Sequence, residues 1–208
     1  PKPSSAASDV YKRQVFALRR GAVLSDRHER VRSAMLDAAT AVVDAHGAEV
    51  LRELIAQLEM SLDADNDAVT EAAVVLLGRA ARHLAPEDAH VRRVVDRLLD
   101  ALRTPSELVQ EAVAACLPPL VRTAAVHGDV PAIVDQLFAE LLHGASYAAR
   151  RGAAYGLAGV VAGCGVDSIR ALRILPRLAD AIDDTTTSAP RQGALMAYET
   201  LAGTLRVL

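Results

Sequence analysis

Residues 149–161 read ARRGAAYGLAGVV, and the same pattern stands at four other places in the chain without gaps. The other copies are VRSAMLDAATAVV from Val31, VTEAAVVLLGRAA from Val69, VQEAVAACLPPLV from Val109 and PRQGALMAYETLA from Pro190. Successive copies start 38, 40, 40 and 41 residues apart. Their fourth column is always small: Ala34, Ala72, Ala112, Gly152 and Gly193. A second apolar series lies between them: LIAQLEMSL from Leu54, VVDRLLDAL from Val94, IVDQLFAEL from Ile133 and ILPRLADAI from Ile174. These are 40, 39 and 41 residues apart. Both series space their apolar residues for helices.

Two interleaved helical series with a period near 40 describe antiparallel helix pairs. One pair cannot bury its own apolar face, so neighbours must stack. The expected fold is therefore all-α, an α-α superhelix of HEAT/armadillo-like solenoid type with about 4–5 antiparallel helix pairs. The A helices are expected over 48–62, 88–103, 130–143 and 167–183. The B helices are expected over 27–45, 67–84, 105–126, 146–162 and 189–207. Such an array points to a surface that holds other molecules, not to an enclosed catalytic cleft.

Composition agrees. The 208 residues are 51% hydrophobic but only 3% aromatic, with no Trp. Thin interfaces between repeats can be filled by Ala, Leu and Val. The formal net charge of -3 supplies no global basic field for nucleic acid. Residues 1–14, PKPSSAASDVYKRQ, carry Lys2, Lys12 and Arg13 against Asp9, hence +2, which leaves -5 for the rest. Both lysines of the chain fall in this stretch. It is expected to be a disordered or foreign tail, with 15–208 forming the solenoid as a fragment of a longer array. Exposed end faces then predict poor solubility for the isolated piece.

Cys116 and Cys164 have no metal or redox spacing and are expected to be buried free thiols. The longest uncharged run, residues 152–166, is 15 residues, short of the roughly 20 that span a bilayer. Its five glycines are expected to serve close packing, and Gly163-Cys164-Gly165 to stop a helix. In Thr104-Pro105-Ser106-Glu107 the spacing predicts a capping box, with Thr104 as cap and Glu107 reaching back. Pro118-Pro119 should bend the helix that contains them.

No catalytic constellation emerges. His28, His46, His83, His90, His127 and His143 show no ligand spacing, and no phosphate-binding loop or nucleophile motif is present. The chain is therefore read as non-enzymatic, with no cofactor and no metal. The turn from Asp180 to Thr187 is read as a solvated loop. Arg150, Arg151 and Arg191 lie early in adjacent B helices, where equivalent positions line one edge of a stack. One reading pairs them with acids in the hairpin loops of neighbouring repeats. The other makes them a contact edge for phosphate or an acidic partner.

The segments RTPSELVQEAVAACLPPLV (103–121), YAARRGAAYGLAGVVAGCG (147–165) and RQGALMAYETL (191–201) resemble one family. It is the large HEAT-repeat activator of the stress kinase for initiation factor 2α, the general-control-nonderepressible activator family. The resemblance runs from about His46 to Leu208 and falls in its central, elongation-factor-3-like region. It implies a cytoplasmic scaffold that contacts the ribosome, through its proteins and with rRNA open as a second target, and an ABC-F-type ATPase. It also implies that the kinase itself is engaged outside this segment and that no membrane is involved. Arg150 and Arg151 match the family motif, and Arg191 remains of a basic cluster. Asp184, Thr185 and Ala162 stand where the family tends to carry lysine. Two alternatives stay open: a generic HEAT adaptor for protein assembly, and the HEAT domain of an ABC-type elongation-factor ATPase.

Overall fold

In the computed structural model, residues 28–46, 51–85, 88–126 and 128–206 are described. The basic stretch 1–14 and His127 lie outside them. Among the described residues the chain is all-helical and divides into two compact units, Pro1–Ala85 and Pro86–Leu208.

The first unit holds α1 (Glu29–His46), α2 (Leu51–Ser61) and α3 (Asp67–Ala81). α2 and α3 form one antiparallel hairpin, and α1 packs on α3 as the B helix of the preceding repeat. The polar connection 63–67 works as a helix start. The Asn66 side chain accepts from the backbone N–H groups of Ala68 and Val69, at 3.0 and 3.2 Å. Replacing Asn66 with Ala should lower this unit's stability by about 1 kcal/mol, read as a shift in urea midpoint. At the other end of α3, Arg79 meets Asp44 at 3.2 Å, and His83 Nε2 lies 3.1 Å from the Val43 carbonyl.

The second unit holds α4 (Ala89–Ala101), α5 (Glu107–Val126), α6 (Val130–His143), α7 (Tyr147–Cys164), α8 (Asp167–Ala171), α9 (Ile174–Asp183) and α10 (Ser188–Leu205). α4 pairs with α5, α6 with α7, and α9 with α10, while α7 packs between α5 and α10. The A helices repeat one apolar stripe. In α4 it runs through Val91, Val94, Val95, Leu98, Leu99 and, just past the helix, Leu102, all 5% exposed or less. In α6, 39 residues on, it runs through Val130, Ile133, Val134, Leu137, Phe138 and Leu141, all buried. These spacings of three and four put the whole stripe on one face.

The small fourth column has a direct steric cause. A Cβ on Gly152 would sit 1.9 Å from the Leu102 carbonyl oxygen, and one on Gly193 would sit 2.0 Å from that of Leu141. Leu102 and Leu141 occupy the same position in successive repeats. Each of these two B helices thus seats its small residue on a carbonyl at the end of the A helix of the preceding repeat. Further along α7, Gly159 and Gly163 lie against backbone of α5, where a Cβ would be 2.8 Å from the Ala114 and Pro118 carbonyls. The Ala114 carbonyl has no helical N–H to accept from, because Pro118 supplies none.

Three local expectations are corrected. The segment 167–183 is two helices, broken at Leu172-Arg173, where Arg173 has φ 52. Pro176 explains the break, since in a continuous helix its ring would strike the Leu172 carbonyl; as third residue of α9 it sits in a first turn, which tolerates it. The capping box is not formed. α5 starts at Glu107, and Thr104 accepts weakly from the Ser106 N–H at 3.4 Å, while Glu107 points to the next repeat. Cys116 and Cys164 are partly, not fully, buried, and neither is in a disulfide. Burial pushes the Cys164 thiol up, with Arg122 opposing. Gly165 does stop α7, at φ 83. α5 stays helical through Pro118-Pro119.

Candidate functional site

The loops that lead into the B helices are held by one repeated device. Position two of the last four B motifs turns back to the loop before it. Thr70 Oγ1 donates to the Ala64 carbonyl at 3.3 Å, and Gln110 Nε2 to Thr104 at 2.7 Å. Arg150 Nη1 donates to Gly144 at 2.7 Å, and Arg191 to Ile182 and Asp184 at 3.2 and 3.4 Å. Loop carbonyls past a helix end lack intrahelical donors, so each needs one from a side chain or water.

Position two also meets position three of the following repeat. Arg151 Nε donates to Gln110 Oε1 at 2.8 Å. Arg150 Nε and Nη2 donate to Gln192 Oε1 at 3.2 and 2.6 Å. The two junctions are the same pair with its members exchanged, Gln–Arg in one and Arg–Gln in the other. Arg and Gln suit this because one offers donors alone and the other an acceptor plus two donors.

The first junction is the better buried. Gln110 is completely inaccessible and shares its amide N–H groups among the carbonyls of Leu102, Thr104 and Ala148. The Arg151 side chain is 19% exposed; it also donates to Glu107 at 3.2 Å and the Pro105 carbonyl at 2.9 Å, and lies 5.8 Å from the Tyr147 ring centre. The outer rung is Tyr155, whose hydroxyl lies 2.9 Å from Glu107 and 3.2 Å from Glu111. Burial, and then the Glu107 hydrogen bond, push the phenol up, so it remains a donor.

Arg150, Arg151 and Arg191 are thus brought to one edge and all make contacts within the chain. Backbone carbonyls and the two glutamine amides dominate those contacts, with Glu107 the acid. Arg191 remains exposed and Arg150 half-buried. Sequence reasoning passed over Gln110, although a polar residue beside buried Val109 and Val113 was a signal for a satisfied internal node.

On the B-helix face of this unit, α5, α7 and α10 leave an open groove of about 750 Å³. Its floor is small: Ala114, Ala115, Ala158, Gly159, Ala162 and Gly203. Glu107, Glu199, Tyr147, Tyr155 and Met196 stand around it. In the lining the Tyr155 hydroxyl sits beside carboxylates, and its phenol, pushed up, keeps the proton. Among the described residues no three His, Cys, Asp or Glu are placed to hold a metal, and no helix is long and apolar enough to cross a membrane. At the acidic turn, Asp184 accepts from the Thr186 N–H and hydroxyl at 2.8 and 2.6 Å, and these bonds hold its carboxyl below the usual range.

A family model described as the HEAT repeats of the stalled ribosome sensor GCN1 matches residues 6–82. The stalled ribosome sensor GCN1 of Homo sapiens is 45% identical over 183 residues, which cover 86% of this chain and 7% of that protein. Protein ILITYHIA of Arabidopsis thaliana is 39% identical over 184 residues, 86% of this chain and 7% of that protein. The eIF-2-alpha kinase activator GCN1 of Saccharomyces cerevisiae is 33% identical over 184 residues, 88% of this chain and 7% of that protein. The chain spans about 7% of the length of these relatives.

Proposed function

The chain belongs to the GCN1 family of HEAT-repeat proteins, and from that premise we propose that it is a non-enzymatic scaffold segment that helps activate the kinase acting on initiation factor 2α. In this reading it works in the cytoplasm, contacts the ribosome along its loop edge and supports an ABC-F-type ATPase partner. The kinase binds elsewhere on the longer protein. The observation that carries the reading is the repeated B-helix edge. Arg150 and Arg191 occupy the same column one repeat apart and leave cationic surface beside the loops they brace. Arginine can hold a carbonyl with one N–H and still present others to phosphate.

The test is cosedimentation of the chain with purified ribosomes at low and moderate salt, with Arg150→Glu/Arg191→Glu as the variant. The wild type should pellet, release steeply as salt rises, and lose at least tenfold in apparent affinity in the variant with helicity unchanged. Equal pelleting of both proteins would remove the arginine edge as the contact. No pelleting at either salt would return the chain to the class of generic HEAT adaptors.

A further inference from the structure

The groove across α5, α7 and α10 has chemistry opposite to that of the arginine edge. Glu107 and Glu199 are exposed in its lining, and Glu111, also exposed, lies beside it, 3.2 Å from the hydroxyl of the lining Tyr155. Arg151, the guanidinium among its lining residues, is occupied by Gln110, Glu107 and the Pro105 carbonyl. The lining holds two carboxylates against one guanidinium, a formal -1, and the adjoining Glu111 brings these four groups to -2. Phosphate would be repelled here, and cationic side chains attracted.

The floor is shaped for a chain laid across it. Ala114, Ala158, Gly159 and Ala162 end at Cβ or before. A Cβ on Gly203 would meet no atom within 4 Å, so the space above α10 is open. Tyr147, 53% exposed, and Met196 add apolar surface at the sides. Lysine and arginine stems cover apolar surface of this kind while their charged ends reach for acids.

We propose that this groove docks a lysine- or arginine-rich polypeptide segment of a partner protein, with its aliphatic stems on the alanine and glycine floor and its charged ends on Glu107, Glu111 and Glu199. The inference rests on the scaffold reading and adds the site and the chemistry of one partner. It adjoins the loop edge at Arg151, and its chemistry is opposite to that proposed for Arg150 and Arg191.

Fluorescence anisotropy tests it on the full chain. The probes are a labelled 20-residue peptide of repeating Lys-Ala-Leu-Ala, its Glu-for-Lys counterpart and a 20-nucleotide single-stranded RNA. The lysine peptide should bind at least tenfold tighter than either other probe, more weakly at high salt. Glu199→Lys and Gly203→Phe should each weaken it at least tenfold. Glu199 is exposed and Gly203 faces open space, so neither change should lower the urea midpoint. Tighter binding of RNA, no binding of the lysine peptide, or equal affinity in wild type and both variants would overturn the groove assignment. If ribosome cosedimentation persists in that case, the scaffold reading survives and the groove proposal alone falls.

Discussion

Replacing Gly152 with alanine should lower stability by about 2 kcal/mol, although alanine is the better helix former. Helix propensity favours the change by up to about 1 kcal/mol. Against it, the new methyl would lie 1.9 Å from the Leu102 carbonyl oxygen, a backbone atom just past the end of α4. Relieving that overlap means separating α7 from the end of α4, and overpacking of this kind costs about 1–3 kcal/mol or more. Gly193→Ala should behave alike, since its Cβ would be 2.0 Å from the Leu141 oxygen. Gly203→Ala is the internal control. It enters open space and should gain about 0.5–1 kcal/mol. Urea titration followed by far-ultraviolet circular dichroism reads all three. If Gly152→Ala matched or exceeded wild type, the small column would not be a steric requirement.

The second large effect is expected at the Gln110–Arg151 junction. Gln110→Ala would take the amide donors from the carbonyls of Leu102, Thr104 and Ala148 and the acceptor from Arg151 Nε. Gln110 is fully buried, so water cannot reach these groups without opening the interface. A buried group left unpaired costs about 1–3 kcal/mol, more beside a charge, which puts the loss at about 3 kcal/mol. Arg151→Ala should cost about 2 kcal/mol, because Glu107 is exposed and can be resolvated.

The exchange seen at Arg150–Gln192 makes a sharper prediction. The double variant Gln110→Arg/Arg151→Gln should recover about half of what Gln110→Arg and Arg151→Gln lose when made singly. A double-mutant cycle measures this. Strict additivity of the single changes would mean that the two side chains do not act as a pair.

How much was legible in the sequence differs with the range of the interaction involved. The period near 40, the two interleaved apolar stripes and the small column are local or strictly repeated, so composition and spacing displayed them. Helix bounds came within a few residues because the stripes define them. The two exceptions have particular causes. Pro176 acts on a carbonyl four residues back, which moved a helix break to Arg173. Glu107 has a cap position by spacing, yet it is drawn to Arg151 and Tyr155 of the next repeat.

The sequence by itself determined an all-α chain of stacked helix pairs, the place of each B helix, and which columns had to be small. It also brought Arg150, Arg151 and Arg191 to notice as one edge. The tertiary structure decided what those arginines hold, that Gln110 is the buried centre of a junction, and that three B helices leave an open groove with Glu107 and Glu199 in its lining. The physical reason is register. A side chain's type is written locally, but its partner lies 41 or 42 residues away, across an interface whose depth is set by glycine contacts with backbone oxygen. Until those backbones are brought together, Gln110 is a polar residue in an apolar stripe, and Glu107, Glu111 and Glu199 are three unrelated acids.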